Sequence, residues 1–365
     1  MNDNHLKMLR EVLSTPTAPF REDAVVRLIH RWASDRGLDF ARDQAGNVLV
    51  RYTRGRRTGG GWVFSAHMDH PGFVVLRQRG QRVWADFRGG VGKGYFPGSR
   101  VRLLGDGLDV RGTVKVRREA RKDELFPVCT IELDERVEVP PGTPGMWDVP
   151  VFRHRGQRIS ARACDDLAGV ASVLCAIDEL AAAKTPANVT GMFTRAEEAG
   201  FVGAIAAAKA GTLDEDALLV AIETSAAQPR AKLGDGVVVR VGDRTLTFDP
   251  PLTAAIAATA AKLATTDADF RWARQLMPGG TCESTAFAAL GLRAGALCIP
   301  LGNYHNQGPG ERIAPEQIDI GDFGCLVKLL VGLAREPANL PRRRMDDLRK
   351  RLDGLLKQRG RLLQQ

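Results

Sequence analysis

The sequence predicts an α/β fold: a mixed, mostly parallel sheet sandwiched by helices, with a small all-β domain inserted into it. Three observations carry this reading. After Ile159, short apolar runs alternate with segments of helical period, which is the pattern of a parallel sheet covered on both faces. From about Gly72 to Val151, strand-like runs alternate with Gly and Pro turns, and no helical period intervenes. Acidic and imidazole side chains collect just past the apolar runs, where open α/β sheets bind ligands.

The elements follow in order. Residues near 6–14 and 21–35 read as helices; in the second, Val25, Val26, Leu28, Ile29 and Trp32 recur at helical spacing. Asn47 to Tyr52 is a short β-branched run, and Arg54 to Gly61 is a basic, Gly-rich turn. Trp62 to Ala66 is a buried strand that delivers His67 at its carboxyl end. The all-β stretch supplies runs at Phe73–Leu76, Arg82–Phe87, Val101–Leu104, Val110–Val116 and Val128–Leu133. Beyond it the spacing predicts helices over 166–183, 202–209, 252–264, 283–290 and 315–333, with strands over 189–194, 217–223, 270–275 and 294–299. The expected division is an α/β domain from 1–71 and 152–340, an inserted β-barrel-like domain at 72–151, and a basic amphipathic helix at 341–365. In that last segment Met345, Leu348, Leu352, Leu355 and Leu356 fall at helical spacing.

At 365 residues the chain is longer than one core usually serves, so two domains or an insertion is expected. No run of eighteen apolar residues exists, so no transmembrane helix is expected. The first residues lack the layout of a signal peptide. The six cysteines form no Cys-x-x-Cys pair, so reduced thiols in a cytoplasm are expected rather than a zinc knuckle. The net charge of +9 invites a nucleic-acid reading. Residues 341–365, however, hold nine Lys and Arg against three Asp, a net of +6, which leaves +3 for all the rest. The basicity belongs to a tail, so nucleic acid is not the expected partner.

The chemistry lies in short segments: Ser65-Ala66-His67-Met68-Asp69, Cys164-Asp165-Asp166-Leu167-Ala168-Gly169, Arg195-Ala196-Glu197-Glu198-Ala199-Gly200, Ile222-Glu223-Thr224 and Asn303-Tyr304-His305-Asn306. Two His and several carboxylates are what a pair of divalent ions requires: terminal ligands, a bridging carboxylate and a free carboxylate as base. His67 is a candidate terminal ligand. Asp69, two residues on, points the same way along an extended segment and is placed to accept the other imidazole N–H. Asp165 is a candidate bridge, while Asp166 caps the following helix. Adjacent Glu197 and Glu198 repel unless a cation sits on one of them. Glu223 ends an apolar strand, where a charge needs a partner, and His305 lies in a polar loop.

In order and context these segments resemble the M42 family of dinuclear aminopeptidases, the glutamyl and tetrahedral aminopeptidase group. Ala66-His67-Met68-Asp69, Asp165-Asp166-Leu167-Ala168-Gly169, Glu197-Glu198-Ala199-Gly200 and Gly279-Gly280-Thr281 carry the likeness, which covers about 1–335. The resemblance implies that His67 and Glu223 hold one zinc and that Glu198 and His305 hold the other. It further implies that Asp165 bridges them, Glu197 is the general base, Asp69 orients His67 and Asp166 supports the bridging turn. Zinc is the expected metal, although His and carboxylate ligands also accept cobalt or manganese. The chain departs from the family at Glu223, where Asp is usual, and at Leu167, Cys282-Glu283 and Asn306. Between His67 and Asp165 lie 97 residues, room for the all-β insertion, which favours this branch over relatives that carry their extra domain later.

The expected activity is removal of N-terminal residues from peptides by a metal-activated water. The alternatives are a related deacylase acting on small N-acyl substrates, and an anionic-surface binder acting through the tail. The resemblance also implies a homo-oligomer.

Overall fold

The computed structural model describes residues 3–55, 60–105, 107–338, 340 and 346–359. Two amphipathic helices lead in, α1 (Asp3–Ser14) and α2 (Asp23–Ser34). They bury Leu9, Val12 and Leu13 from the first, and Val25, Leu28, Ile29 and Trp32 from the second, the apolar stripe that their spacing predicts. Three strands follow: β1 (Asp39–Arg42), β2 (Val48–Arg54) and β3 (Trp62–His67).

The chain then leaves for a closed six-stranded barrel. Its strands are β4 (Gly72–Arg79), β5 (Arg82–Arg88), β6 (Arg100–Gly105), β7 (Leu108–Arg118), β8 (Val128–Leu133) and β9 (Pro144–Trp147), ordered β4-β5-β8-β7-β6-β9. All neighbours are antiparallel. Four aromatic rings fill one part of the interior. Phe73 meets Trp147 edge to face at 4.9 Å, and Phe87 meets Phe96 in the same way at 4.7 Å, the geometry that ring quadrupoles favour.

The returning chain forms β10 (Phe152–Arg155) and β11 (Arg158–Ala161), then α3 (Leu167–Ala182), β12 (Ala187–Thr194), α4 (Val202–Ala210) and β13 (Leu218–Ala226). Next come β14 (Val237–Gly242), α5 (Pro250–Thr266), β15 (Trp272–Leu276), α6 (Glu283–Ala289) and β16 (Arg293–Leu301). A two-residue pair, β17 (Gln307–Gly308) and β18 (Arg312–Ile313), precedes β19 (Glu316–Asp319), α7 (Ile320–Arg335) and α8 (Asp346–Arg359). Eight strands form the main sheet in the order β1-β2-β12-β3-β13-β16-β14-β15. Its four central strands, β12, β3, β13 and β16, are mutually parallel. The flanking pairs β2–β12 and β14–β16 are antiparallel. One face packs against α3, α5 and α7, with α1 lying on α3, and the other against α4 and α6. Side chains alternate between these faces along β3: Trp62 and Phe64 join one core and Val63 the other.

The structure differs from the sequence expectation at several elements. The barrel is closed by β9, which the sequence reading missed because Pro144-Gly145 looks like a turn. Gly145 lets the strands pack closely there: a Cβ would stand 2.6 Å from Leu103 Cδ2, which would have to move. The reading also missed β1 and β14. The helix expected from Pro315 begins at Ile320 instead. Residues 316–319 are strand β19, paired with β11, and Asp319 caps α7 by accepting the N–H of Gly321 at 2.8 Å. Residues 56–59 of the expected basic turn, and Met345 with the rest of 341–345 and 360–365 in the tail, lie outside the described residues.

Candidate active site

The parallel strands end at one place. β3 ends in His67, β13 carries Glu223, the turn after β12 carries Glu197 and Glu198, and the loop after β16 carries His305. Asp165 arrives on the segment between β11 and α3. Each of these residues was singled out from the sequence, and all lie in one cluster. His67, Asp165, Glu223 and His305 are each less than a tenth exposed.

Asp165 stands between the two imidazoles. Its Oδ1 is 3.5 Å from His67 Nε2 and its Oδ2 is 3.6 Å from His305 Nε2. Glu198 Oε1 lies 3.0 Å from His305 Nε2, and Glu197 Oε2 lies 4.0 Å from His67 Nε2. Three sets of side chains each place one nitrogen or oxygen per residue within 4.8 Å of the others: His67–Asp165–Glu223, Asp165–Glu198–His305 and His67–Glu197–Glu198.

Both imidazoles are held the same way round. His67 Nδ1 is 3.1 Å from the backbone carbonyl of Asp69, and His305 Nδ1 is 2.6 Å from that of Gly90. A carbonyl can only accept, so each Nδ1 carries a proton and each Nε2 is the ring atom that faces the cluster. Gly90 follows β5, so the barrel itself sets the His305 tautomer.

The Asp69 carboxylate departs from expectation. It is 3.6 Å from His67 Nδ1, beyond hydrogen-bond range. Its oxygens instead accept the backbone N–H of Glu197 and of Glu198, each at 3.0 Å. Asp166 caps α3 by accepting the N–H of Gly169 at 3.2 Å, and also accepts from Thr224 Oγ1 at 2.8 Å.

The donor set fits divalent cations. Among the described residues, Asp165 Oδ1 and Glu223 Oε1 are buried and make no hydrogen bond, and Glu198 Oε1 meets only the His305 imidazole, a costly arrangement for carboxylates unless a cation meets them. Burial pushes the Glu223 carboxyl up to about 8 and lifts Glu197 well above the usual carboxylate range. Imidazole nitrogens with carboxylate oxygens suit zinc and its neighbours.

The cluster floors a cavity of about 170 Å³ whose walls include Arg240, Met277, Thr281 and Tyr304. A larger cleft, about 710 Å³, runs between α2 and the barrel, but no His lines it. Several residues near the cluster escaped the sequence reading. Arg240 is one: a charge inside the apolar run Val237 to Val241 was the available signal. Tyr304 stacks on His305 with ring centroids 3.7 Å apart. Glu283, noted only as a departure, is buried and accepts from Thr194 Oγ1 at 2.9 Å. His70 and Glu316, both buried behind the cluster, complete the group.

The sequence profile of the M42 glutamyl aminopeptidases matches residues 46–319, a stretch that contains the whole cluster. The chain belongs to the M42 glutamyl aminopeptidase family. It is a metal-dependent aminopeptidase, and hence a hydrolase. Solved structures share its fold. One likeness is to the TET1 peptidase of Pyrococcus horikoshii, described as assembling into a tetrahedron or a large octahedral shell. That structure matches with TM-score 0.74 and 22% identity, over 91% of this chain and 99% of that one. An aminopeptidase of the archaeon Desulfurococcus kamchatkensis matches with TM-score 0.75 and 21% identity, over 91% and 94%. A TET aminopeptidase of a marine sediment archaeon of the Thaumarchaeota matches with TM-score 0.75 and 17% identity, over 92% and 96%. No curated protein matches the sequence.

Proposed function

We propose that this M42 aminopeptidase works with two divalent ions, zinc by preference. His67 and Glu223 would hold one, Glu198 and His305 the other, and Asp165 would bridge them. The observation that carries this reading is the convergence of two imidazole Nε2 atoms on the buried carboxylate of Asp165, with Glu198 and Glu223 beside them. When bound, such ions acidify a water and polarise the scissile carbonyl.

The chain's own residues do the rest. Glu197 takes a proton from the attacking water and returns it to the leaving amine. Asp69 holds the Glu197–Glu198 backbone so that both side chains address the cavity. The free amino group of the peptide finds complementary charge among the carboxylates of the floor.

Arg240 supports an acidic N-terminal residue as the preferred substrate. It is 3% exposed, and its Nε has no partner. Among the described residues its Nη1 donates only to Ser225 Oγ, at 3.4 Å. A carboxylate side chain in the cavity would satisfy it. Homo-oligomeric assembly is also part of this reading, because the Pyrococcus horikoshii peptidase is described as assembling into shells.

The test pairs elemental analysis of the purified protein with amino-acid release from free-amine and N-acetylated peptides. Two metal equivalents with cleavage of free-amine peptides alone is the expected result. Cleavage of only the blocked peptides would move the assignment to a deacylase.

A further inference from the structure

The two halves of the cluster are built differently. His67 and Glu223 stand on β3 and β13, neighbouring strands of the central sheet. His305 stands on a loop whose backbone is left-handed at three residues that are not glycine: Asn303 (φ 54°), His305 (φ 54°) and Asn306 (φ 61°). Such backbone persists only where its surroundings hold it.

A buried carboxylate does the holding. Glu316, on β19, is fully buried. Its Oε1 accepts the N–H of His305 at 2.8 Å, and its Oε2 accepts those of Cys164 and Asp165 at 2.6 and 3.0 Å. One side chain thus grips the backbone of two segments that are far apart in sequence. β19 is anchored in turn by pairing with β11, the strand that leads into the Asp165 segment.

A second tie runs alongside. His70 Nδ1 is 2.7 Å from the Asp165 carbonyl, and its Nε2 is 2.9 Å from Asn306 Oδ1. The Asn306 amide donates to the carbonyls of Arg162 and Ala314 at 2.9 and 3.1 Å. That fixes its orientation, because a flipped amide would set its oxygen against two other oxygens.

We propose that Glu316 is a positioning residue that sets the separation of Asp165 and His305 before any ion arrives, with His70 and Asn306 as its support. Binding at the Glu198–His305 position then depends on Glu316, and binding at the His67–Glu223 position does not. This rests on the two-ion reading above. Glu316→Gln isolates the claim. The amide oxygen can keep the N–H groups of Cys164 and Asp165, but the amide nitrogen then faces the N–H of His305, donor against donor.

The test strips metal from the full-length protein with a chelator and titrates it with Co2+, followed by calorimetry and by the visible absorption of bound Co2+. Wild type should bind two ions. Glu316→Gln should bind one ion as wild type does and the second about 10- to 100-fold more weakly, with an unchanged circular dichroism spectrum. Glu223→Gln should weaken the other ion, which identifies the positions. Should Glu316→Gln fail to fold, Asn306→Ser, which leaves Glu316 in place, decides by the same selective weakening. Two ions at wild-type affinity, or equal loss of both, in the folded variants would overturn the inference. A wild type that binds fewer than two ions would overturn the two-ion site itself.

Discussion

The side chain of Asp69 accepts the backbone N–H of Glu197 at 3.0 Å, so a residue at the end of β3 sets where the carboxylate after β12 points. The other Asp69 oxygen accepts the N–H of Glu198, also at 3.0 Å. The two bonds fix the turn that starts at Ala196, whose backbone is left-handed with φ 52°. Glu22 holds the same turn from outside, accepting the N–H of Ala196 at 3.0 Å and pairing with Arg195 at 2.7 Å.

Asp69→Asn should therefore act on catalysis through geometry. One acceptor oxygen becomes an NH2 group facing a backbone N–H, an unmet buried donor worth about 1–3 kcal/mol. The expected outcome is a kcat about 5- to 150-fold lower with KM and metal content little changed, read by steady-state kinetics and elemental analysis.

Glu197→Gln should remove the proton shuttle and nothing else. A positioned general base contributes about 10²- to 10⁴-fold, so kcat should drop by that order while two metal equivalents remain. Full activity in this variant would show that Glu197 is not the base.

Arg240→Leu should change preference rather than rate. Loss of a charged hydrogen-bond donor to a buried anion costs about 1.5–3 kcal/mol. Cleavage of N-terminal glutamyl peptides should lose about ten- to a hundredfold in kcat/KM, with leucyl peptides unaffected or better. Equal losses on both substrates would remove Arg240 from the specificity reading.

Metal removal should loosen the fold around the site. Without cations the packed carboxylates repel one another, and a ligand that binds only the native state raises its stability. Chelation is expected to lower Tm, and added zinc to restore it, in differential scanning calorimetry.

Much of the fold was legible because period and burial coincide. α3 and β3 are mostly apolar, and their lengths separate helix from strand without further help. The elements that escaped carry little local signal. β9 is four residues opening on Pro144-Gly145, and it is a strand because β4 and β6 pair with it. β19 looks like the first turn of a helix, and only its pairing with β11 makes it extended.

The sequence by itself singled out the acids and imidazoles that the fold gathers into one cluster, since such groups at the ends of apolar runs have few inexpensive uses. It also determined the order of the α/β elements and the presence of an all-β insertion. Tertiary structure alone decided that Asp69 addresses Glu197 and Glu198 rather than the His67 ring, and that Gly90 of the barrel fixes the His305 tautomer. It also decided that Arg240 lines the cavity and that Glu316 joins Asp165 to His305. The physical reason is range. Hydrophobic period is a property of neighbouring residues and survives in the string, whereas a hydrogen bond needs its partners within about 3 Å, a distance that exists only once the chain has closed on itself.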